Sequence, residues 1–358
     1  MTSASDSIPA LQRHAVPVWA VNVGLLTIIA CLWPVNGLLE SHTDGYTRQI
    51  LIAIGINVIL AVSLNLINGI TGQFSLGHAG FMAVGAYATG AILKYYQTFF
   101  AANEWALALV LIFAGLLAAV AGLLVGIPAL RLRGDYLAIA TLGFGEIINV
   151  LINNTEKIGP IFDQGPFEIG GAAGLHGIPP SGNLAWIYAG ALICIVVVWR
   201  LANSTKGKAF EAVREDEIAA AAMGVDTTYY KVSAFVIGAF FAGVAGGLFA
   251  TSYFGDLAPE SFGFMRSIDI IVMVVLGGSG SITGSILAAA LLTYLPEQLR
   301  FLKDFRLVIY SLILIGMMLT RPEGLLGNRE LWWTRRGLLR WPRQDLGEAQ
   351  EPPPIARD

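Results

Sequence analysis

The chain has 358 residues, of which 55% are hydrophobic and only 13% are charged, and it contains 41 glycines. Ordinary soluble domains carry about 25% charged residues and about 7% glycine. The composition therefore argues against a soluble domain and predicts an all-α polytopic membrane protein whose glycines let helices approach closely. The formal net charge of -3 gives no indication of a nucleic-acid partner, and both cysteines lie in apolar runs, which disfavours a disulfide framework or a metal site.

Apolar runs in the first half of the chain predict five membrane-spanning helices. They cover residues 16–33, 50–67, a glycine-rich continuation that ends at Leu93, 105–127 and 135–152. The first run follows a short polar N-terminal tail, residues 1–15, and can also be read as a signal peptide or a lipoprotein leader. Because further spans follow, an uncleaved helix is the preferred interpretation.

The second half of the chain predicts three more full crossings and one broken element. The crossings are residues 184–201, 232–250 and 307–319. Residues 268–295 are interrupted by a glycine cluster, and a span needs about 20 residues, so the part before the break is too short to cross alone. We therefore expect a re-entrant element buried in protein or lining a cavity. The prediction is a helical bundle over residues 16–320 with about eight full crossings and broken, glycine-rich elements.

The distribution of lysine and arginine predicts the orientation of the bundle. Basic residues follow the fourth span and recur in the hydrophilic segment 202–231 and in the tail 321–358, so these parts and both termini should be cytoplasmic. The loop 153–183 is rich in glycine and proline, contains one lysine, and should lie outside. Basic residues at 300, 303 and 306 are the exception to the pattern.

The glycine-rich stretch from Leu64 to Gly90 contains a polar cluster formed by Gln73, Ser75 and His78. A polar group without a partner costs several kcal/mol in hydrocarbon, so this stretch should be buried inside the bundle. Intramembrane polar residues indicate by default a transport pathway or a ligand site. The alternative is that Gln73 and His78 only hydrogen-bond backbone groups that the glycines free.

Further candidates for a translocation path lie on the fifth span and in the second glycine cluster. Asp135, beside Arg133, is best read as a helix-start acid or a member of a local ion pair, whereas Thr141 and Glu146 lie deeper along the span. The remaining path candidates are Gly277, Gly278 and Ser279. The four histidines show no metal-ligand spacing, and the chain has no phosphate-binding G-x-x-x-x-G-K-[ST] motif. We expect no catalytic residues, no metal and no cofactor bound by this chain.

The hydrophilic segment 202–231 contains a predicted amphipathic helix from Phe210 to Met223, with Gly224 as its C-cap. Such a helix can lie on a membrane or dock into a groove of a partner subunit. Acidic residues outnumber basic ones at its centre, which disfavours adsorption to anionic lipid. Docking to a partner is the preferred interpretation.

Four motifs together resemble a known family. They are Gly72–Gly80 (GQFSLGHAG), Arg133–Glu146 (RGDYLAIATLGFGE), Arg214–Gly224 (REDEIAAAAMG) and Leu276–Gly284 (LGGSGSITG). In this order they are similar to the permease subunits of bacterial branched-chain amino acid ABC importers of the Liv type. The resemblance implies an inner-membrane permease that is not an enzyme. It also implies a second permease subunit, two ATP-binding subunits that hold ATP and Mg²⁺, and a periplasmic substrate-binding protein as partners.

The resemblance also implies a coupling helix that seats on an ATP-binding subunit. Its residues would be Glu211, Arg214, Glu215, Asp216, Glu217, Ala220 and Gly224. The chain departs from the broader importer pattern because isoleucine follows Glu217 and no Leu-Pro pair closes the motif.

Two alternatives to a branched-chain amino acid importer are left open by the sequence. One is an importer of the same architecture for urea or short amides. The other is an ion-coupled secondary transporter with a proton site at Glu146 and His78, because broken helices fit that architecture as well. A scaffold without transport activity is disfavoured by the intramembrane polar clusters.

Overall fold

The computed structural model describes residues 44–96, 105–129, 132, 134–158, 167–179, 182–252, 256–321 and 323–327. The predicted first helix, the N-terminal tail 1–15, and most of the C-terminal tail lie outside the described residues. The basic residues Arg131 and Arg133 also lie outside them.

The described part of the chain forms eleven α-helices. They are α1 (Gly45–Asn65), α2 (His78–Tyr95), α3 (Ala106–Ala129), α4 (Asp135–Asn154), α5 (Leu184–Ala202), α6 (Thr205–Glu215), α7 (Glu217–Ala222), α8 (Thr227–Thr251), α9 (Phe264–Gly277), α10 (Ile282–Gln298) and α11 (Arg306–Thr320). A π-helical turn follows α1 at Leu66–Ile70, and short 3₁₀ turns occupy Gly171–Ala173, Pro259–Phe262 and Leu299–Phe305. Two antiparallel strands of two residues, β1 (Lys157–Ile158) and β2 (Phe167–Glu168), lie in the predicted loop 153–183. The all-helical prediction is confirmed apart from this small pair.

Five helices in the described part are long and apolar enough to cross a membrane. They cover Gly45–Ile70, Ala106–Pro128, Asp135–Asn154, Leu184–Ala202 and Thr227–Thr251, and a shorter apolar helix covers Val308–Thr320. About eight full crossings are therefore not confirmed. Asp135 is the first residue of α4 and is exposed, as expected for a helix-start acid.

Helix α8 forms the centre of the core because glycine and alanine let α2 and α3 approach its backbone closely. A Cβ atom at Gly85 of α2 would overlap the carbonyl oxygen of Gly243 in α8. At the same residue of α8, a Cβ at Gly243 would lie 2.9 Å from the carbonyl oxygen of Ala114 in α3. Close helix packing through small residues, a feature of membrane bundles, is confirmed at Gly243.

The bundle has two ends, which we call upper and lower. The lower end carries the hydrophilic segment with α6 and α7, and the upper end carries the loop that precedes α5. At the upper end, the Tyr46 hydroxyl donates to the carboxylate of Glu297, and a single β-bridge joins Leu175 to Leu257. The loop 153–183 and the segment 202–231 thus lie at opposite ends of α5, as the sequence predicts.

Candidate translocation site

The first helix break follows α1 and interrupts the stretch that contains the predicted polar cluster. The π-helical turn Leu66–Ile70 ends α1, the backbone from Thr71 to Gly77 is not helical, and α2 begins at His78. Gly72 has a φ of 72°, a left-handed conformation that glycine adopts without a Cβ clash. We call residues 66–77 break 1, and its irregular backbone is as predicted.

The second helix break separates α9 from α10. Gly278 and Gly280 have φ angles of 107° and 95°, and the hydroxyl of Ser281 accepts a hydrogen bond from the backbone N–H of Gly284 (3.1 Å), which caps α10. We call residues 278–281 break 2. Of the predicted path residues here, Gly277 and Gly278 are buried and Ser279 is exposed.

Asn65, the last residue of α1, joins the two breaks. Its Oδ1 accepts a hydrogen bond from the backbone N–H of Gly280 (2.9 Å), and its Nδ2 donates to the carbonyl oxygen of Ser281 (3.1 Å). The breaks also pack closely, because a Cβ at Gly69 would overlap the backbone nitrogen of Gly280. Asn65 is fully buried, and it belongs to none of the sequence motifs described above. Its position directly before the glycine-containing turn Leu66–Ile70 was the only local signal.

The predicted polar cluster lies in break 1 and at the start of α2, and all three residues are buried. His78 Nε2 and the hydroxyl of Ser63 share a hydrogen bond of 2.9 Å. In the described structure, both amide atoms of Gln73, the hydroxyl of Ser75 and Nδ1 of His78 are buried without a hydrogen-bond partner. Because most buried polar atoms in proteins are paired, this cluster offers unused donors and acceptors to water, a solute or a neighbouring subunit. The alternative bonds from these side chains to freed backbone do not form among the described residues.

Helix α4 packs against break 1 through Thr141. The Thr141 hydroxyl accepts a hydrogen bond from the backbone N–H of Leu76 (3.0 Å) and donates to the carbonyl oxygen of Ala138 (3.0 Å). A Cβ at Gly77 would overlap the Thr141 carbonyl oxygen, so Gly77 permits this contact. Thr141 therefore belongs to the site, whereas Glu146 lies further along α4 at a partly exposed position and makes no bond to His78 in the described structure.

The hydrophilic segment forms two helices, so the prediction of one continuous helix from Phe210 to Met223 is wrong. Asp216 is extended (φ -155°, ψ 111°), and its Oδ1 accepts hydrogen bonds from the backbone N–H groups of Ile218 (2.8 Å) and Ala219 (3.1 Å). An aspartate side chain that satisfies these free N–H groups starts a new helix. Gly224, with a φ of 86°, follows the last turn of α7, so the predicted stop is confirmed.

The predicted coupling residues divide between the surface and the bundle. Glu211 pairs with Lys208 (2.8 Å), and Glu217 pairs with the buried Lys231 (2.6 Å). Ala220 is buried, whereas Arg214, Glu215, Asp216 and Gly224 are exposed.

Arg214 connects the hydrophilic segment to break 1. Its Nη1 donates to the carbonyl oxygen of Gly69 (2.8 Å), and a Cβ at Gly72 would lie 2.8 Å from Cγ of Arg214. The bond satisfies a carbonyl in the π-helical turn. The lower surface, break 1, Asn65 and break 2 thus form one continuous series of contacts.

Two ion pairs fasten the loops at the upper end. Lys94 Nζ lies 2.9 Å from Glu168, and its hydrogen bond and charge lower the pKa of that carboxyl group. His176 Nδ1 lies 2.9 Å from Asp256, and this hydrogen bond, with a second one to the backbone of Ala173, raises the pKa of His176. No group of three potential metal ligands occurs in the part of the chain that the structure describes.

Comparisons with known proteins agree with the architecture. Residues 46–320 match the family described as branched-chain amino acid transport system / permease component. The LivM permease proteins of the high-affinity branched-chain amino acid transport systems of Salmonella typhimurium and Escherichia coli are 39% and 36% identical. Each alignment covers 89% of this chain and 77% of the relative. The LivH permease protein of Salmonella typhimurium is 26% identical over 76% of this chain and 92% of its own length.

No solved structure matches the chain. The family match covers most of the sequence, and the LivM relatives exceed one third identity over nearly all of it. The apolar helices agree with a multi-pass membrane protein that acts as one component of a transport system rather than as a catalyst. The chain therefore belongs to the branched-chain amino acid transport system permease family.

Proposed function

We propose that the chain is a membrane-spanning permease subunit of an ATP-driven importer for leucine, isoleucine and valine, and that it docks a separate ATP-binding subunit at its lower end. The observation that carries this proposal is the hydrogen bond between Arg214 and the carbonyl oxygen of Gly69. It links an exposed hydrophilic segment directly to the irregular backbone inside the bundle.

The surface of α7 has the properties of a docking element. Ile218 and Met223 are 69% and 84% exposed, although they lie in the most hydrophilic internal segment of the chain. A short helix that exposes apolar side chains among charged ones fits a groove on a partner protein. The Asp216 cap, the Gly224 stop and the ion pair from Glu217 to Lys231 hold α7 in place.

The contacts above α7 provide a route by which docking would act on the path. A displacement of α6 would pull on Gly69 through Arg214, and Asn65 would pass the displacement from break 1 to break 2. The buried, unpaired polar atoms of Gln73, Ser75 and His78 lie in the backbone that would move. ATP and Mg²⁺ would be held by the partner subunits.

The assembly would contain a second permease subunit, two ATP-binding subunits and a periplasmic substrate-binding protein, in the bacterial inner membrane. The lower end with both termini would face the cytoplasm, and the upper end would receive the binding protein. Exposed apolar side chains on α3 and α4, such as Leu109, Leu124 and Leu151, would face lipid or the second permease subunit.

Transport and ATP hydrolysis by the reconstituted importer test the role of Arg214. In proteoliposomes with the binding protein, Arg214→Gln should retain ATP hydrolysis but lose most leucine uptake, because it removes a charge-assisted bond to break 1. Lys208→Gln is the matched control: it removes a charge from α6 that, among the described residues, pairs with the neighbouring Glu211 at the surface. Uptake by Arg214→Gln at the control level would contradict the coupling route.

Co-purification tests the docking surface separately. Ile218→Asp should release the ATP-binding subunit, because it places a charge on the apolar face of α7. Thr228→Asp, at an exposed position at the start of α8, introduces the same charge at the same end and should leave the complex intact. Leucine uptake that persists without any ATP-binding subunit and collapses with the proton gradient would instead indicate an ion-coupled transporter. Stimulation of ATP hydrolysis by urea or short amides alone would refute the proposed substrates.

A further inference from the structure

A second polar site lies in the upper half of the bundle, away from both breaks. Arg266, in the first turn of α9, donates from Nη2 to Oδ1 of Asn57 on α1 (2.7 Å). Asn57 in turn donates from Nδ2 to the hydroxyl of Thr293 on α10 (2.8 Å). A charged side chain within a bundle of membrane helices is costly and indicates a functional site by default.

The guanidinium group of Arg266 has unused binding capacity. It carries five N–H donors, of which one is used by Asn57 in the part of the chain that the structure describes. Asp269, one turn further along α9, acts on Arg266 through its charge, but no ion pair within 4.0 Å forms between them. Arginine can therefore still offer two parallel N–H groups, the arrangement that binds a carboxylate.

A cavity of about 250 Å³ has Arg266 among its lining residues. Its walls include Asn57, Arg266, Ser261, Ile56, Met82 and Phe249. An apolar cavity of about 150 Å³ accommodates benzene, which has six heavy atoms, so this cavity has room for about ten. Leucine has nine. The walls thus combine one cationic group with mostly apolar surface, the usual composition of a small-molecule site.

We propose that this cavity binds a small aliphatic amino acid, with its carboxylate on Arg266 and its side chain against Ile56, Met82 and Phe249. The proposal rests on the proposed function and names how the solute is recognised inside the permease. A neutral head group, as in urea or a short amide, forms no ion pair with the guanidinium group, so the site selects carboxylates over these solutes.

The position of Arg266 also relates the cavity to break 2. Helix α9 has 14 residues, carries Arg266 in its first turn, and ends at Gly277 beside Gly278. A solute that pulls on Arg266 therefore acts on one end of a short helix whose other end is break 2.

A purely structural role for Arg266, as a clamp between α1 and α9, makes a different prediction for Asn57→Asp. The new carboxylate would still accept the hydrogen bond from Arg266, and it can accept one from the Thr293 hydroxyl in place of the lost Nδ2 donor, so a structural role predicts normal folding and normal transport. The ligand site predicts loss of solute binding in the same variant, because an internal carboxylate occupies the guanidinium group. Arg266→Gln removes the positive charge that would bind the solute carboxylate, and the ligand site predicts loss of solute binding in this variant as well.

Protection of a cysteine in the cavity wall measures binding without relying on transport. The importer is assembled in nanodiscs with Ser261→Cys in a background in which both natural cysteines are replaced by alanine. The rate of reaction with a small thiol reagent is then measured against increasing leucine or leucinamide. Glu260→Cys, at the neighbouring exposed position, is the labelling control.

We expect leucine to slow labelling of the cysteine at position 261 but not of the cysteine at position 260. Leucinamide should need at least about tenfold higher concentration for the same protection. Both Asn57→Asp and Arg266→Gln should abolish the protection while the complex remains assembled. Equal protection by leucinamide, or undiminished protection in either variant, would overturn the carboxylate site. Absence of protection in an importer that transports leucine would overturn the site and leave the proposed function standing. Protection in an importer that transports no branched-chain amino acid would overturn the proposed function and leave the site standing.

Discussion

Replacing Asn65 by alanine should destabilise the bundle by about 2–4 kcal/mol. The backbone N–H of Gly280 would lose its partner in irregular backbone, and a buried unpaired group costs about 1–3 kcal/mol. The carbonyl oxygen of Ser281 would lose less, because it also accepts from the N–H of Ser285 (3.2 Å) within α10. For that bond we take the average for hydrogen bonds between membrane helices, about 0.6 kcal/mol.

The thermal unfolding midpoint of the purified complex, compared at one scan rate, measures this loss. Asn203→Ala is the matched control, because Asn203 also donates from Nδ2 to a backbone carbonyl, that of Trp199 (2.8 Å), but at an exposed position. Surface substitutions of this kind usually change stability by less than about 0.5 kcal/mol. Equal midpoints for the two variants would refute the view that Asn65 holds the breaks together.

Two further predictions concern other parts of the bundle. Gly85→Ala should cost about 3 kcal/mol, the upper end of the usual cost of overpacking, and reduce assembly of the importer, because the new methyl group overlaps the backbone of Gly243; the yield of monodisperse complex measures this. Proteolysis of the loop before α5 should accelerate as the pH rises through the raised pKa of His176. The charged histidine holds Asp256, and the stability from this pair is present in full below the unfolded-state pKa of about 6.5 and is lost as the histidine deprotonates. His176→Gln should remove this pH dependence, because glutamine does not titrate.

Each of these two predictions has its own control or contrary outcome. Gly143→Ala introduces a methyl group on α4 with no atom within 4 Å and should assemble normally. A similar failure of both glycine variants would show that the effect is not one of close packing. Proteolysis that slows as the pH rises would contradict the sign of the linkage at His176.

The sequence predicted the helix breaks well because their cause is local. Glycine at Gly72 and Gly278 adopts positive φ angles, and glycine clusters inside apolar runs are visible without a structure. Burial of Gln73 and His78 also followed from the cost of polar groups in lipid. The sequence prediction lacks the break at Asp216, because the apolar positions keep a helical spacing on both sides of this residue. Asp216 followed by Glu217 is nevertheless a local N-cap signal.

The tertiary contacts of the site could not be read from local patterns. Asn65 and Gly280 are 215 positions apart, and Asn57 and Arg266 are 209 apart. Each asparagine lies in an apolar helix, and the residue type alone does not indicate which distant group it binds. Only the packing of α1 against α9 and α10 shows which distant backbone or side chain it meets.

The start of the C-terminal tail has a consequence for the biogenesis of the protein. Residues 323–327 return to break 2, where the backbone N–H of Leu325 donates to the carbonyl oxygen of Leu276 (2.8 Å) and Gly324 packs against Gly278. Break 2 is synthesised about forty residues before this cover. When α9 and α10 enter the membrane, the carbonyl oxygen of Leu276 therefore lacks the hydrogen bond from Leu325. It gains this bond only after α11 has been inserted. Completion of the translocation domain thereby requires synthesis of the chain through Leu325.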